Sequence, residues 1–179
     1  MSTLIFGLMI GRHNSKTLYR NFASAASTTA AALITIAGAA LFGWVLSRDG
    51  AGIAALTVML SITDQPGIAM LMLIFFYFLI GTFLEPVPAL IITVPVMEPI
   101  IKHLGFDPVH MGIIVMMMLV VGSVTPPVGV LAMVASRIAG VEYRHTFGML
   151  LPYTAVWIAV VLLVAYNPWM VTWLPNYLL

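Results

Sequence analysis

The chain has no cysteine and very few charged residues. Of its 179 residues, 7% are charged and 62% are hydrophobic, whereas an ordinary soluble domain is about 25% charged. The absence of cysteine excludes disulfides, thiolate metal sites and cysteine nucleophiles. Seven Lys and Arg against six Asp and Glu give a net charge of +1. This balance excludes the basic field that a nucleic-acid-binding surface requires.

The apolar residues are too many for a soluble fold. The mean hydropathy is +1.11, and a folded soluble domain of this size still exposes about 30% of its unfolded surface to water. Lipid is the solvent that accommodates such a composition at low cost. The first residues place an apolar stretch ahead of a basic cluster, the reverse of the order in a signal peptide, so we expect no cleavage. The composition predicts a polytopic integral membrane protein.

Charged residues mark where the apolar segments end. The uncharged stretch 21–47 is long enough to cross a hydrocarbon core of about 30 Å and is predicted to be a transmembrane helix. Residues 51–63 are too short to cross and are predicted to form an interfacial arm. A last transmembrane helix is predicted at 147–166. Residues 167–179 carry aromatic side chains typical of a membrane interface and are predicted to be an interfacial end.

The segment 67–101 is too long for one span and short for two. Its middle contains two prolines and a glutamate, in the order Gly81-Thr82-Phe83-Leu84-Glu85-Pro86-Val87-Pro88. Because proline cannot continue a helix, the chain is expected to stop and turn back there. We predict a re-entrant helical hairpin whose tip is buried in protein or lines a wet cavity. The alternative is a pair of short spanning helices with the glutamate in an aqueous loop.

The segment 109–136 is interrupted in the same manner. Tandem prolines lie between glycines, in the order Gly122-Ser123-Val124-Thr125-Pro126-Pro127-Val128-Gly129. Each proline lacks an N–H, and the residue before each is displaced from the α region. We predict a broken transmembrane helix, two half-helices joined by an unwound stretch. The alternative is a proline-kinked helix with a structural role only.

The basic residues predict an orientation. Suppose that 21–47 crosses outward, the hairpin enters from outside, 109–136 returns inward and 147–166 leaves again. Five basic residues then lie in the cytoplasm and two outside, in agreement with the positive-inside rule. The inner residues are Arg12, Lys16, Arg20, Arg137 and Arg144, and the outer ones are Arg48 and Lys102. The C-terminus is therefore predicted to be periplasmic.

Two interrupted segments at bilayer depth are typical of the binding site of a secondary transporter. An unwound helix frees backbone carbonyls for Na⁺, here from about Gly122 to Thr125, and the threonine hydroxyl adds a further oxygen. The second half-helix, beginning near Val128, would direct its free N–H groups at an anionic substrate.

These motifs resemble those of a known family. Residues 122–129 resemble the G-x-x-T-P-P-V-G signature of the large membrane (permease) subunit of tripartite ATP-independent periplasmic (TRAP) transporters. Residues 81–86 resemble that family's hairpin-tip pattern, residues 104–112 its G-x-D-P-x-H-x-G connection, and residues 173–175 its usual C-terminal ending.

The resemblance implies an all-α, elevator-type repeat in a bacterial inner membrane that imports small organic acids with Na⁺ as coupling ion and without other cofactors. C4-dicarboxylates, sialic acids and keto acids are the substrates expected. The implied sodium-site positions are Gly81, Thr82, Gly122, Thr125 and Pro127. The positions expected to face the substrate are Glu85, Ser123, Pro126, Val128 and Gly129.

The resemblance also implies partners. These are a small membrane subunit, a soluble periplasmic substrate-binding protein and, because only the C-terminal portion of a family member is matched, the missing N-terminal repeat. Two alternatives to transport are a truncated, non-transporting assembly protein or vestigial fragment, and a channel. The channel has little support, since no charged ring or filter sequence is present.

The remaining polar residues indicate no enzyme. Neither GxSxG, HExxH nor a phosphate-binding loop occurs. His103 and His110 flank Asp107 without a third ligand, so structural roles are expected there. Glu98 is expected either to snorkel toward the interface or to pair with Lys102, four residues later. Glu85 either caps a half-helix or is solvated in the cavity.

Overall fold

The computed structural model describes residues 15–178, and this part of the chain is helical without any β-strand. The helices are α1 (Ser15–Arg48), α2 (Ala51–Ile62), α3 (Pro66–Phe83), α4 (Pro86–His103), α5 (Pro108–Ser123), α6 (Val130–Ala139), α7 (Tyr143–Tyr166) and α8 (Trp169–Leu178). The expectation of an uncleaved N-terminus and the inner-side Arg12 lie outside the described residues.

Among residues 15–178, three stretches are long and apolar enough to cross a membrane: Leu18–Arg48, Pro66–Phe83 and Tyr143–Tyr166. Large apolar side chains such as Phe75, Val156 and Leu163 are exposed along their outer faces. Such surfaces are costly in water and cheap in lipid. The prediction of an all-α polytopic membrane protein is confirmed.

The chain divides into two compact units, one ending at Gly38 and the other beginning at Ala39. The first unit contains the N-terminal part of α1, where the hydroxyls of Thr28 and Thr35 donate to the carbonyls of Ser24 and Ala31, four residues earlier. These bonds satisfy polar side chains inside a helix that carries many small residues. The C-terminal part of α1 and helices α2 to α8 belong to the second unit.

Three helices begin in the same way, with proline at the first helical position. Pro66, Pro86 and Pro108 open α3, α4 and α5. Proline suits this position because the first N–H of a helix has no partner inside it, and the residue before proline is held extended. Asp107, the residue before Pro108, also accepts a hydrogen bond from the backbone N–H of His110 at 2.9 Å. The prolines therefore fix where these helices start.

The core forms between α3 and α5, which lie parallel to each other. At one end of the pair the backbones of Gly81 and Gly122 touch, and at the other end Gly67 and Phe106 line one small cavity. Large side chains of the two helices that are fully buried in this core include Leu73, Tyr77, Met111, Ile114 and Met118. This packing brings the C-terminal ends of both helices to the same level.

Helices α4 and α7 run back along this pair. Tyr77 of α3 shares a groove with Val94 and Ile101 of α4, so α3 and α4 form an antiparallel hairpin that turns at Leu84 and Glu85. His110, at the start of α5, donates from Nε2 to the carbonyl of Val164, at the end of α7, over 2.9 Å. Helix α7 is therefore antiparallel to α5.

Two glycines let other helices approach the backbone of α4. A Cβ on Gly43 would lie 2.8 Å from the Ile91 carbonyl oxygen, and one on Gly52 would lie 2.9 Å from the Val96 oxygen. The Ile91 carbonyl has no helical donor because Pro95, four residues later, lacks an N–H. Glycine at position 43 places a Cα against that oxygen, a weak contact that recurs at helix–helix interfaces.

The described helices show how the predicted segments are built. The stretch predicted as an interfacial arm is α2, the predicted hairpin contains α3 and α4, and the predicted broken helix contains α5 and α6 with residues 124–129 between them. The predicted last span corresponds to α7, which begins four residues earlier than expected, at Tyr143. The depth of each segment in a membrane stays a prediction.

Candidate functional site

The two predicted helix interruptions are in contact with each other, and glycine at positions 81 and 122 allows this contact. A Cβ added to Gly122 would lie 2.5 Å from the Phe78 carbonyl oxygen and 2.7 Å from the Gly81 Cα. A Cβ on Gly81 would lie 2.6 Å from the Leu119 oxygen. These neighbours are backbone atoms, which cannot step aside as a side chain can. Glycine at both positions therefore sets the spacing of α3 and α5 where both helices end.

Thr82 links the hairpin to the second interruption. Its side chain is buried, and its hydroxyl donates to the Leu79 carbonyl at 2.7 Å. Its own carbonyl accepts a hydrogen bond of 3.3 Å from the N–H of Gly129. Thr82, expected at the sodium site, and Gly129, expected to face the substrate, are thus joined by a hydrogen bond.

The end of α5 tightens before the chain unwinds. The hydroxyls of Ser123 and Thr125 each donate, over 2.7 Å, to the carbonyls of Val120 and Val121. The N–H of Thr125 donates to the Gly122 carbonyl at 2.8 Å, so that carbonyl is not freed as the sequence predicted. Because both hydroxyls donate inward, their lone pairs remain available to accept or to bind a cation.

The free carbonyls lie slightly later in the chain than predicted. Within the described part of the chain, no donor reaches the carbonyl oxygens of residues 123–127, a stretch that includes a cis peptide bond between Pro126 and Pro127. Neutral backbone and hydroxyl oxygens are ligands that hard cations such as Na⁺ accept. Oxygens of this type are concentrated between the end of α5 and the start of α6.

The start of α6 offers N–H donors beside these oxygens. Gly129 precedes the helix in the left-handed region, with φ of 54°, and the first helical hydrogen bond runs from Met133 to its carbonyl. In the described structure, the N–H groups of residues 130–132 have no acceptor. Free N–H groups and the helix dipole together favour an anion at this end.

The start of α4 is a poorer anion site, although it lies in the neighbouring interruption. Pro86 and Pro88 have no N–H, which leaves the N–H of Val87 as the one donor before the first helical bond. Glu85 occupies the position before the helix but its side chain makes no capping hydrogen bond, and it is exposed. Of the two roles considered for this glutamate, solvation agrees with the geometry.

The other predicted positions differ in their exposure. Ser123 and Gly129 are buried, whereas Thr125, Pro126 and Val128 are half-buried. Pro127 is exposed. Of the predicted residues, the structure places Gly81 against Gly122 and joins Thr82 to Gly129, whereas Glu85 and Pro127 are exposed.

One neighbour of this site carried no signal in the sequence. The hydroxyl of Tyr143, in the first turn of α7, donates to the Val128 carbonyl at 3.0 Å. Tyr143 lies outside all the matched motifs, and tyrosine near a membrane interface is common, so the pattern of the sequence did not distinguish it.

Away from the site, one expectation concerns an ion pair. The pair between Glu98 and Lys102 is confirmed, with 2.7 Å between Oε1 and Nζ. Among the described residues, no group of three His, Asp or Glu side chains could hold a metal ion. His110 is buried and serves to join α5 to α7.

A family model agrees with the resemblance seen in the motifs. The model described as "Tripartite ATP-independent periplasmic transporter, DctM component" matches residues 1–170. The isethionate TRAP transporter permease protein DctMQ of Oleidesulfovibrio alaskensis is 34% identical over 166 residues, which cover 92% of this chain. The sialic acid TRAP transporter large permease protein SiaM of Vibrio cholerae is 30% identical over 84% of this chain. The C4-dicarboxylate TRAP transporter large permease protein DctM of Pseudomonas aeruginosa is 30% identical over 82%.

The chain spans only part of these relatives. The matched residues cover 26%, 35% and 34% of the three proteins, respectively. Its assignment to the C-terminal portion of a permease stays a prediction. The match to the family model over most of the sequence nevertheless decides the class of protein. The chain belongs to the DctM component family of tripartite ATP-independent periplasmic transporters, which are membrane permeases and not enzymes.

Proposed function

We propose that this chain is part of a sodium-coupled secondary transporter that imports small organic acids. The observation that carries the proposal is the backbone contact between Gly81 and Gly122, which brings two helix interruptions together. Broken helices that meet in this way supply carbonyl oxygens for a cation and a helix N-terminus for an anion. The elevator-type movement implied by the resemblance is part of the same proposal.

Sodium is proposed to bind between the hairpin turn and the end of α5. The half-buried Thr125 hydroxyl, whose hydrogen points to Val121, offers its lone pairs to a cation. The carbonyl of Thr82 has one lone pair left after accepting from Gly129. Gly81 and Pro127 are proposed to offer backbone carbonyl oxygens, and Gly122, whose carbonyl accepts from Thr125, completes the proposed set through its backbone contact with Gly81.

The substrate is proposed to place its anionic group at the start of α6. The donors there are the N–H groups of residues 130–132, and the residues proposed around them are Glu85, Ser123, Pro126, Val128 and Gly129. The names of the relatives refer to isethionate, sialic acid and C4-dicarboxylates, all of them organic acids. A small organic acid of this class is therefore the proposed substrate.

Transport is proposed to need several partners. Because the chain spans about a third or less of the relatives, the rest of a permease would supply a second repeat. A small membrane subunit and a periplasmic substrate-binding protein would complete the transporter. The proposed location is the bacterial inner membrane, with the C-terminus on the periplasmic side.

The test of this proposal is uptake by the complete transporter in proteoliposomes. Thr125→Val removes the hydroxyl but keeps the shape, and it is expected to raise the half-saturating Na⁺ concentration about tenfold, because one cation ligand is lost. Thr125→Ser keeps the hydroxyl and is the matched control, with a sodium curve near that of the wild type.

Two results would contradict the proposal. A sodium curve of Thr125→Val that coincides with that of Thr125→Ser would reject this hydroxyl as a ligand. Wild-type uptake that is unchanged when K⁺ replaces Na⁺ would reject sodium coupling altogether. Any uptake by the complete complex would also exclude the alternative of a non-transporting fragment.

A further inference from the structure

One peptide group of the interrupted segment is held at both of its ends. The peptide group that joins Val128 to Gly129 accepts at its carbonyl from the Tyr143 hydroxyl, at 3.0 Å. The same group donates from its N–H to the Thr82 carbonyl, at 3.3 Å. Since a peptide group is planar, hydrogen bonds on its two opposite edges restrain its rotation about the axis that joins its two Cα atoms.

This peptide group stands where the proposed cation and anion sites join. On one side it bonds to the Thr82 carbonyl, a proposed sodium ligand. On the other side it leads directly into α6, whose free N–H groups begin at the next residue. A rotation of this one peptide would therefore change both the field at Thr82 and the direction in which α6 presents its donors.

The Tyr143 hydroxyl is closely packed against the same point. A Cβ on Gly129 would lie 2.8 Å from that oxygen and 3.2 Å from the Thr125 carbonyl oxygen. Gly129 has φ of 54°, a conformation that glycine adopts at little cost and other residues rarely adopt. Because glycine adopts many backbone conformations, the two hydrogen bonds of the peptide group before it restrain its orientation.

We propose that Tyr143 is a positioning residue of the transport site: its hydroxyl orients the peptide group between Val128 and Gly129, and thereby the Thr82 carbonyl and the first donors of α6. This inference rests on the proposed function. The side chain is half-buried at the first turn of α7, outside the buried core between α3 and α5. The hydroxyl therefore acts on the site more than on the stability of the fold.

The experiment compares three variants at two tyrosines of α7, in the complete transporter. Tyr143→Phe removes only the hydroxyl, and p-aminophenylalanine at position 143 restores a donor at the same place on the ring. Tyr153→Phe is the matched control, because that side chain is 72% exposed. The first measurement is uptake, which gives the half-saturating Na⁺ concentration. The second is the rise in melting temperature of the purified permease when Na⁺ replaces K⁺, which reports Na⁺ binding to the folded protein without transport.

Tyr143→Phe is expected to raise the half-saturating Na⁺ concentration about fivefold, the effect of losing one neutral hydrogen bond. Its melting temperature in K⁺ should stay near that of the wild type, while the rise caused by Na⁺ becomes smaller. The aminophenylalanine variant and Tyr153→Phe should both stay within about twofold of the wild type.

The positioning role is overturned if Tyr143→Phe keeps the wild-type response to Na⁺ in both measurements. It is also overturned if the aminophenylalanine variant is as impaired as Tyr143→Phe, since the ring environment and not the donor would then matter. Wild-type uptake without sodium dependence would overturn the proposed function and this inference together. Because the wild type is measured first, this outcome is distinguished from a failure of the positioning role alone.

Discussion

At the scale of single residues, glycine and proline do most to shape the site. Gly81 and Gly122 have no side chain where two backbones touch, and the prolines at positions 86, 126 and 127 end helices or keep them from continuing. These residues act through steric exclusion, which depends little on the rest of the fold.

The contact at Gly122 leads to a stability prediction. Gly122→Ala would place a methyl group 2.5 Å from the Phe78 carbonyl oxygen, so the helices must separate. We expect a loss of about 1 to 3 kcal/mol, the usual cost of overpacking, measured as a lower melting temperature in detergent. Gly112→Ala on the same helix meets nothing within 4 Å and should be neutral or stabilising by up to about 1 kcal/mol. Equal melting temperatures for the two variants would contradict the tight contact.

The same residues explain what the sequence could predict about the site. A proline or glycine has the same local effect in any context, so the positions of both interruptions could be predicted from the chain alone. The hydrogen bonds that Gly129 donates to Thr82 and that Tyr143 donates to Val128 join residues 47 and 15 positions apart, and both depend on how the helices pack. No local pattern encodes such a distance, and for this reason Tyr143 was not predicted.

At the scale of helices, the two interruptions differ in what their second halves can bind. Helix α6 begins with three free N–H groups, whereas proline removes two of the corresponding groups from α4. The sequence predicted a half-helix that starts near Val128, and the structure begins it at Val130. Because the ends of helices fray, such a boundary is defined only to within about one or two residues. The predicted and observed starts of this half-helix therefore differ by no more than that margin.

Helices α5 and α7 are joined by a buried histidine, which gives a second stability prediction. His110→Phe keeps a ring of similar size but loses the 2.9 Å bond to the Val164 carbonyl. That carbonyl also accepts from the N–H of Asn167 at 3.1 Å, so it keeps a partner and the expected cost is about 1 kcal/mol. This corresponds to a melting temperature lower by about 2 to 4 °C.

The exposed His103 provides the comparison for this substitution. His103→Phe removes no hydrogen bond in the described structure and should leave the melting temperature unchanged. If His110→Phe and His103→Phe had the same melting temperature, the hydrogen bond from His110 to α7 would contribute nothing to stability.

At the scale of the whole molecule, the order of the helices places the loops that connect them at two opposite ends of the packed helices. Pro66, Phe106, Ala165 and Pro168 line one cavity, so the connections before α3, before α5 and after α7 lie together. The connection between α6 and α7 lies at the far end of the 24-residue α7. Composition was sufficient to predict a membrane protein, but this grouping of loops depends on helix packing and became visible only in the fold.

The absence of cysteine makes this arrangement directly testable, because a single introduced thiol is the only one in the chain. His103→Cys and His145→Cys place exposed thiols at the two ends. If five basic residues lie inside and two outside, as the positive-inside rule requires, a membrane-impermeant maleimide added to intact cells should label position 103 and not position 145. Permeabilised cells should show both labelled, which controls for reactivity. Labelling of both in intact cells would contradict the fold, since the two positions would share one side. Labelling of position 145 alone would keep the fold and reverse the orientation, placing the C-terminus in the cytoplasm.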